Sequence, residues 1–228
     1  MSNNDNINIK NIKKCQYCNT PYKKQILKIP KFNLEKEIWV ANCDCIEAIE
    51  KQKKIEYRMD YAKKVIPKLY YDFLNSKEFD LKRIPAKVFE YLENAKKIKN
   101  IENFKNIVLV GEPRTGKTTT ACYIINQLIM QQDFNAKFIE CLELEVRTYN
   151  NEDDIYRIPT QNFLILDNFG KNTSTKIKNF LFAVIDYRLR NKLPVVYTIN
   201  EIPSEFDKKF DKALIERIKF NAEVIIYE

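Results

Sequence analysis

The sequence contains no histidine, which excludes imidazole acid–base chemistry and histidine metal ligation at once. Glycine is nearly as scarce, with three in 228 residues. A chain this poor in glycine has left it only where backbone must turn sharply or approach another group closely. No stretch approaches the roughly 20 consecutive apolar residues of a membrane helix. The opening MSNNDNINIK also lacks the apolar core of a secretory signal. The expected setting is therefore cytoplasmic, with no membrane partner. In that setting six cysteines point to metal ligands or free thiols rather than disulfides.

Hydrophobic residues make up 45% of the chain, ample for a buried core, and the length fits one full domain plus a small module. The net charge of +8 is unevenly spread. Residues 1–105 hold 23 Lys and Arg against 14 Asp and Glu, while residues 106–228 hold 16 against 17. A basic front half fits nucleic acid as a partner, because neutralised phosphates release counterions. It fits equally a solvated lysine-rich surface in an AT-biased genome.

Two of the three glycines fall in Gly111-Glu112-Pro113-Arg114-Thr115-Gly116-Lys117-Thr118. This GxxxxGKT follows the apolar run Ile107-Val108-Leu109-Val110 and precedes a helical pattern, the setting of a phosphate-binding loop. Its backbone N–H groups and the helix N-terminus form an anion site for the α- and β-phosphates. Lys117 reaches the β/γ-phosphates and Thr118 holds magnesium, with Thr119 following in the first helical turn among the nucleotide-binding residues.

Around this loop strands and helices alternate. Strands are expected at 107–110, 136–141, 163–167, 195–200 and 223–227. Helices are expected at about 117–132, 173–191 and 204–218, with a charged stretch including Glu152-Asp153-Asp154 in between. Five apolar strands separated by helices imply an α/β fold with a parallel sheet covered on both faces. The nucleotide then lies at the C-terminal ends of the strands. Cys122 and Cys141 fall at core positions as small hydrophobes.

Phe163-Leu-Ile-Leu-Asp167 is an apolar strand ending in a carboxylate, the Walker B arrangement, with Asp167 bringing magnesium to the phosphates. The following residue is Asn168, where ATP-hydrolysing proteins of this kind usually carry an acid. An amide positions water but cannot take its proton. Magnesium-ATP binding with slow hydrolysis, unless a partner supplies a base, is the expectation. Asn200, after Val195-Val-Tyr-Thr-Ile, is either a sensor of the γ-phosphate or a turn residue before Pro203. Arg217, on the last helix, is either an arginine finger for a neighbouring subunit or a solvated surface charge.

Ahead of this domain, Cys15-Gln-Tyr-Cys18 and Cys43-Asp-Cys45 form two close pairs. Each pair can supply two thiolates from one tight turn to a tetrahedral zinc. Ile26, Ile29, Ile38 and Trp39 alternate with polar residues as in a hairpin that leads back to the second pair. So small a module needs the metal for stability. An iron–sulfur cluster, or four unrelated buried thiols, are the alternatives. A charged helix runs from Ile46 to Lys64. Leu69-Tyr70-Tyr71-Asp72-Phe73 is an aromatic-rich segment, and a helix spans 85–99. The resulting division is a cysteine module at 1–60, a linker with a leading helix at 61–105 and an ATPase core at 106–228. Residues 1–11 are expected to be disordered.

In order, GEPRTGKT, LILDNFG, IDYRLRNKLPVVYTIN and IERI resemble the Walker A, Walker B, sensor 1 and arginine-finger stretches of one family. It is the DnaC/DnaI-type helicase loaders, a branch of the AAA+ ATPases that includes IstB-type transposase helpers. The cysteine pairs and the charged helix are similar to the zinc module of phage-type loaders, and Ile66-Pro67-Lys68-Leu69-Tyr70 resembles the opening of their ATPase domain. The resemblance implies a P-loop AAA+ core without a C-terminal lid, with ATP, magnesium and zinc as cofactors. It also implies a protein that binds the replicative hexameric helicase through its front part and helps place it on single-stranded DNA. Lys117, Asp167, Asn168, Asn200 and Arg217 are then its catalytic set, and Arg217 acting in trans implies self-assembly on the helicase. A transposase helper and a non-hydrolysing ATP-bound adaptor are the rival readings.

Overall fold

The computed structural model describes residues 13–131, 134–144, 160–171, 174–201, 205 and 211–227. The Asn-rich start, the acidic stretch around Glu152, Pro203 and most of the first part of the helix expected over 204–218 lie outside the described residues. Two compact units divide the chain at Tyr57 and Arg58.

The first unit is built on a hairpin. Strand β1 (Lys23–Ile29) pairs antiparallel with β2 (Leu34–Val40) in a register that sets Lys24 opposite Trp39 and Ile29 opposite Leu34. Asn33, in the left-handed region at φ 46°, closes the turn, and its N–H donates to the Pro30 carbonyl at 3.2 Å. The alternation of apolar residues builds the hairpin but buries no face of it. Ile26 is 57% exposed and Leu34 49%. Cross-strand ion pairs between Lys24 and Glu37 and between Lys28 and Glu35 line the surface at 2.9 and 2.7 Å. Exposed pairs of this kind contribute at most about 1 kcal/mol each. Helix α1 (Cys45–Val65) follows, with Asp44 accepting its first turn from Ala48 N–H.

The second unit holds a five-stranded parallel sheet in the order β4-β5-β6-β3-β7. Its strands are β3 (Asn106–Gly111), β4 (Ala136–Glu140), β5 (Phe163–Asp167), β6 (Val195–Ile199) and β7 (Ala222–Tyr227). All five expected strands are present, with ends shifted by a residue at most. Every residue of β5 and β6 is buried, as the continuous apolar runs require of strands covered on both faces.

Strand alternation sorts the core into two clusters. Ile107, Leu109, Phe163, Ile165, Val196 and Ile225 face one side. There they meet α4 (Lys117–Gln131), the last turn of α1 at Ala62 with Ile66 just beyond it, and α3 (Ala86–Ala95) through Val88 and Leu92. Phe104, Phe134 and Phe163 pack edge to face in this cluster, 5.1–5.5 Å apart. On the opposite side Val108, Val110, Leu164, Leu166 and Tyr197 meet α5 (Thr175–Arg190) and α6 (Lys212–Lys219). Cys122 and Cys141 are both fully buried.

Two local readings change. The aromatic segment after Pro67 is a helix, α2 (Lys68–Leu74), whose start is fixed by proline just ahead of it. The helix expected over 85–99 stops at Ala95, where the N–H groups of Lys97 and Ile98 turn to the carbonyls of Asn94 and Ala95, three residues back, and tighten the last turn.

At the N-terminal edge of the sheet Arg188 is wholly buried. Its guanidinium donates to the carbonyls of Gln161, Asn162 and Pro194 at 2.8, 2.9 and 2.7 Å. It thereby ties the entries of β5 and β6 to α5, and burial pulls it down to about 10.

Candidate functional site

The phosphate loop leaves β3 at Gly111, whose φ is +152°. A Cβ there would lie 2.3 Å from the Tyr227 carbonyl oxygen on β7, so glycine is required by close approach. Arg114 at φ 68° and Gly116 at φ 94° complete the turn, and Thr115 Oγ1 donates to the Glu112 carbonyl at 2.9 Å. Glu112, Pro113 and Arg114 are exposed at the loop's crest, while Thr118 and Thr119 lie half-buried in the first turn of α4. Lys117 is buried, and its Nζ donates to the Glu112 carbonyl and, at 3.2 Å, to Thr115 Oγ1. Burial foremost, and Lys171 nearby, lower its pKa, while Asp167 opposes them.

Asp167 ends β5 within reach of that helix start. Its Oδ1 accepts from Thr118 Oγ1 at 2.8 Å and from Thr198 Oγ1 at 2.6 Å. Thr118 and Asp167, the two groups expected from the sequence to carry magnesium, touch each other. The donor set fits the ion, a hard cation that takes hydroxyl and carboxylate oxygens.

Asn168 stands next in the left-handed region at φ 54°. Its backbone N–H donates to Thr198 Oγ1 at 2.9 Å. Its Nδ2 donates to both carboxylate oxygens of Glu140, at 3.1 and 2.9 Å, and its Oδ1 accepts from Asn200 Nδ2. The structure thus brings Lys117, Thr118, Asp167, Asn168 and Asn200 to one edge of the sheet.

Arg217 does not join them in the single chain. Its Nε donates to Asp186 Oδ1 at 3.1 Å, its Nη1 donates to the Ala213 carbonyl at 2.9 Å, and its guanidinium lies 4.7 Å from the Phe182 ring centre.

Three members of the site were not singled out in the sequence. Glu140 ends β4 in register with Asp167. Burial foremost, with the Asp167 carboxyl beside it, pushes Glu140 up to about 7, against the pull of the Asn168 amide. The signal for Glu140 was present, a carboxylate closing an apolar strand as Asp167 does. Thr198 is a hydroxyl inside an apolar strand, 1% exposed, which needs a partner wherever it is buried. Tyr70, on α2, lies beside Thr118, and its pKa is raised by burial first and Asp167 second.

The first unit carries a separate cluster. Cys15 N–H donates to the Thr20 carbonyl and Asn19 N–H to the Cys15 carbonyl, both at 2.9 Å, folding Cys15–Thr20 into a tight knuckle with Asn19 at φ 61°. The Sγ atoms of Cys15, Cys18, Cys43 and Cys45 all lie within 4.8 Å of one another. The edge of a tetrahedron with metal–sulfur bonds of 2.3 Å is ~3.8 Å, so the donor set and its spacing fit zinc. The Thr20 hydroxyl foremost brings Cys18 down to about 6, while Cys18 foremost drives Cys45 up to about 12. Four clustered thiols cannot all ionise without a cation among them, and a divalent ion supplies that charge.

No described helix is long and apolar enough to cross a membrane. No curated protein matches the chain. Among solved structures, the DnaC helicase loader is similar with a TM-score of 0.60 at 16% identity, over 71% of this chain and 100% of that one. DnaI gives 0.59 at 17% identity, over 69% and 93%. A DnaA replication initiator bound to AMPPCP and single-stranded DNA gives 0.51 at 12% identity, over 70% and 49%. These likenesses are of fold alone. The family model described as IstB-like ATP binding protein matches residues 47–227, which contain the loop, Asp167 and their shared hydrogen bond. This chain therefore belongs to the IstB-like ATP binding proteins.

Proposed function

We propose that the protein is a helicase loader, using magnesium-ATP in the second unit and a zinc-held first unit to bring a replicative hexameric helicase to single-stranded DNA. The observation that carries this reading is the pairing of an assembled ATP site with a separate four-thiol cluster in one chain. The likeness to a helicase loader across that protein's whole length supports it. The basic excess ahead of residue 106 supports a polyanionic partner.

In this reading residues 111–119 cradle the phosphates, Lys117 neutralises their charge, and Thr118 and Asp167 hold magnesium. Cys15, Cys18, Cys43 and Cys45 hold zinc, which fixes the module's shape. Arg217 leaves Asp186 to meet the γ-phosphate of a neighbouring copy, so the working form is an oligomer on the helicase in the cytoplasm.

The test is mass photometry of the protein with the replicative helicase of its host, with and without magnesium-ATP. The expected result is a defined complex with the hexamer that is lost when residues 1–60 are removed. Absence of that complex, together with ATP-dependent assembly on duplex DNA, would replace the loader with a transposase helper.

A further inference from the structure

At the position after Asp167, where an acid would polarise the attacking water, this chain has an amide. The structure supplies the missing carboxylate from another strand. β4 and β5 are parallel neighbours in a register that sets Glu140 beside Asp167, so both side chains emerge at the same edge of the sheet. Asp167 is committed to Thr118 and Thr198 through Oδ1. Glu140 is committed to Asn168, whose single Nδ2 sits between its two oxygens at 3.1 and 2.9 Å. Asn168 in turn accepts from Asn200, so Glu140, Asn168 and Asn200 form a continuous polar chain across the ends of β4, β5 and β6.

A half-buried carboxylate next to another carboxylate weakens a fold unless something uses it. Its contact with Asn168 leaves lone pairs on both oxygens, and a water between Glu140 and the amide pair would meet one strong acceptor and two amides that orient it.

We propose that Glu140 is the carboxylate that activates the attacking water, with Asn168 and Asn200 as its positioning residues, so that hydrolysis needs no base from a partner. The proposal rests on the ATP-binding reading of the site. In the step, the water oxygen forms a bond to the γ-phosphorus as the bond from that phosphorus to the β–γ bridging oxygen breaks. The water's proton passes to a Glu140 oxygen, ADP departs with the bonding pair on its oxygen, and Glu140 releases the proton to solvent with the phosphate. On this assignment hydrolysis is faster than the slow, partner-dependent turnover expected from Asn168 alone.

The experiment compares the full-length wild type with Glu140→Gln, Glu140→Asp and Lys117→Ala. It measures single-turnover hydrolysis of magnesium-ATP, affinity for a non-hydrolysable ATP analogue, and affinity for ADP with aluminium fluoride. Glu140→Gln keeps analogue affinity within about twofold and loses about 100-fold or more in rate and most of its aluminium-fluoride complex. Glu140→Asp, with the charge kept but drawn back, falls between them, and Lys117→Ala loses binding itself. A wild type that binds the analogue yet hydrolyses ATP no faster than Glu140→Gln overturns the assignment, whether both are fast or both slow. Helicase capture, measured on the same proteins, reports separately on the loader reading.

Discussion

The two units solve the same problem, fixing polar side chains in place, by opposite means. In the second, Lys117, Asp167 and Thr198 are 1–3% exposed, and each is positioned by strands buried on both faces. Rigidity comes from the core, and the site inherits it. In the first, β1 exposes every residue before Ile29, and the ion pairs on the hairpin surface add little. Here the site must supply the rigidity, because two strands without a buried face are marginal in water. A ligand set can be read from a sheet in one case and must be the staple in the other.

The sharpest way to break this contrast is to remove the zinc proposed for the four cysteines. Chelation, with magnesium restored afterwards, should unfold the module completely, since binding of structural zinc is worth about 10–16 kcal/mol. Nucleotide affinity should stay within about twofold. Trp39, the single tryptophan, lies in β2 and reports the loss by fluorescence. A module that keeps its Trp39 spectrum after chelation would place its stability elsewhere.

A smaller effect is expected from Arg188→Met, which strands three carbonyls, that of Pro194 buried and those of Gln161 and Asn162 half-buried. It should lower the stability of the second unit by about 3–5 kcal/mol, read from the urea midpoint by circular dichroism, with the Trp39 signal unmoved. The smallest separates backbone from side chain at Asn168. Asn168→Gly and Asn168→Ala lose the same amide, but alanine must also hold φ near 54°. The glycine variant should be the more stable by about 1 kcal/mol. Equal stabilities would show that the turn relaxes.

What was legible in the sequence is what depends on local spacing. A phosphate loop is defined within eight residues, and Asp167 by the strand it closes. The four cysteines declare themselves through two short pairs. Glu140 could be read as the end of a strand, but its place beside Asp167, like those of Thr198 and Tyr70, was not legible because each depends on which elements become neighbours in the fold. Nothing in AKFIE says that β4 will lie beside β5, or in VVYTIN that Thr198 will face Asp167. The hairpin shows the converse limit, since alternation along Ile26–Ile38 encodes pleating and does not by itself bury a side chain. Arg217 shows a third. Its helix was found, and the hold of Asp186 and Phe182 on it comes from α5, a distant segment of the chain.

The sheet order also sets a timetable. The strand bearing the phosphate loop is the first of the five to be synthesised, yet both of its neighbours, β6 and β7, come last, with Ile107 waiting for Val196 and then Glu223. At about 5–20 residues per second, an emerging chain leaves Ile107–Val110 without a partner for several seconds. Pairings so distant in sequence also form slowly once the chain is complete. The capacity to hold ATP is therefore acquired at the end of folding, and the earliest-made strand is the one most exposed to mispairing until then.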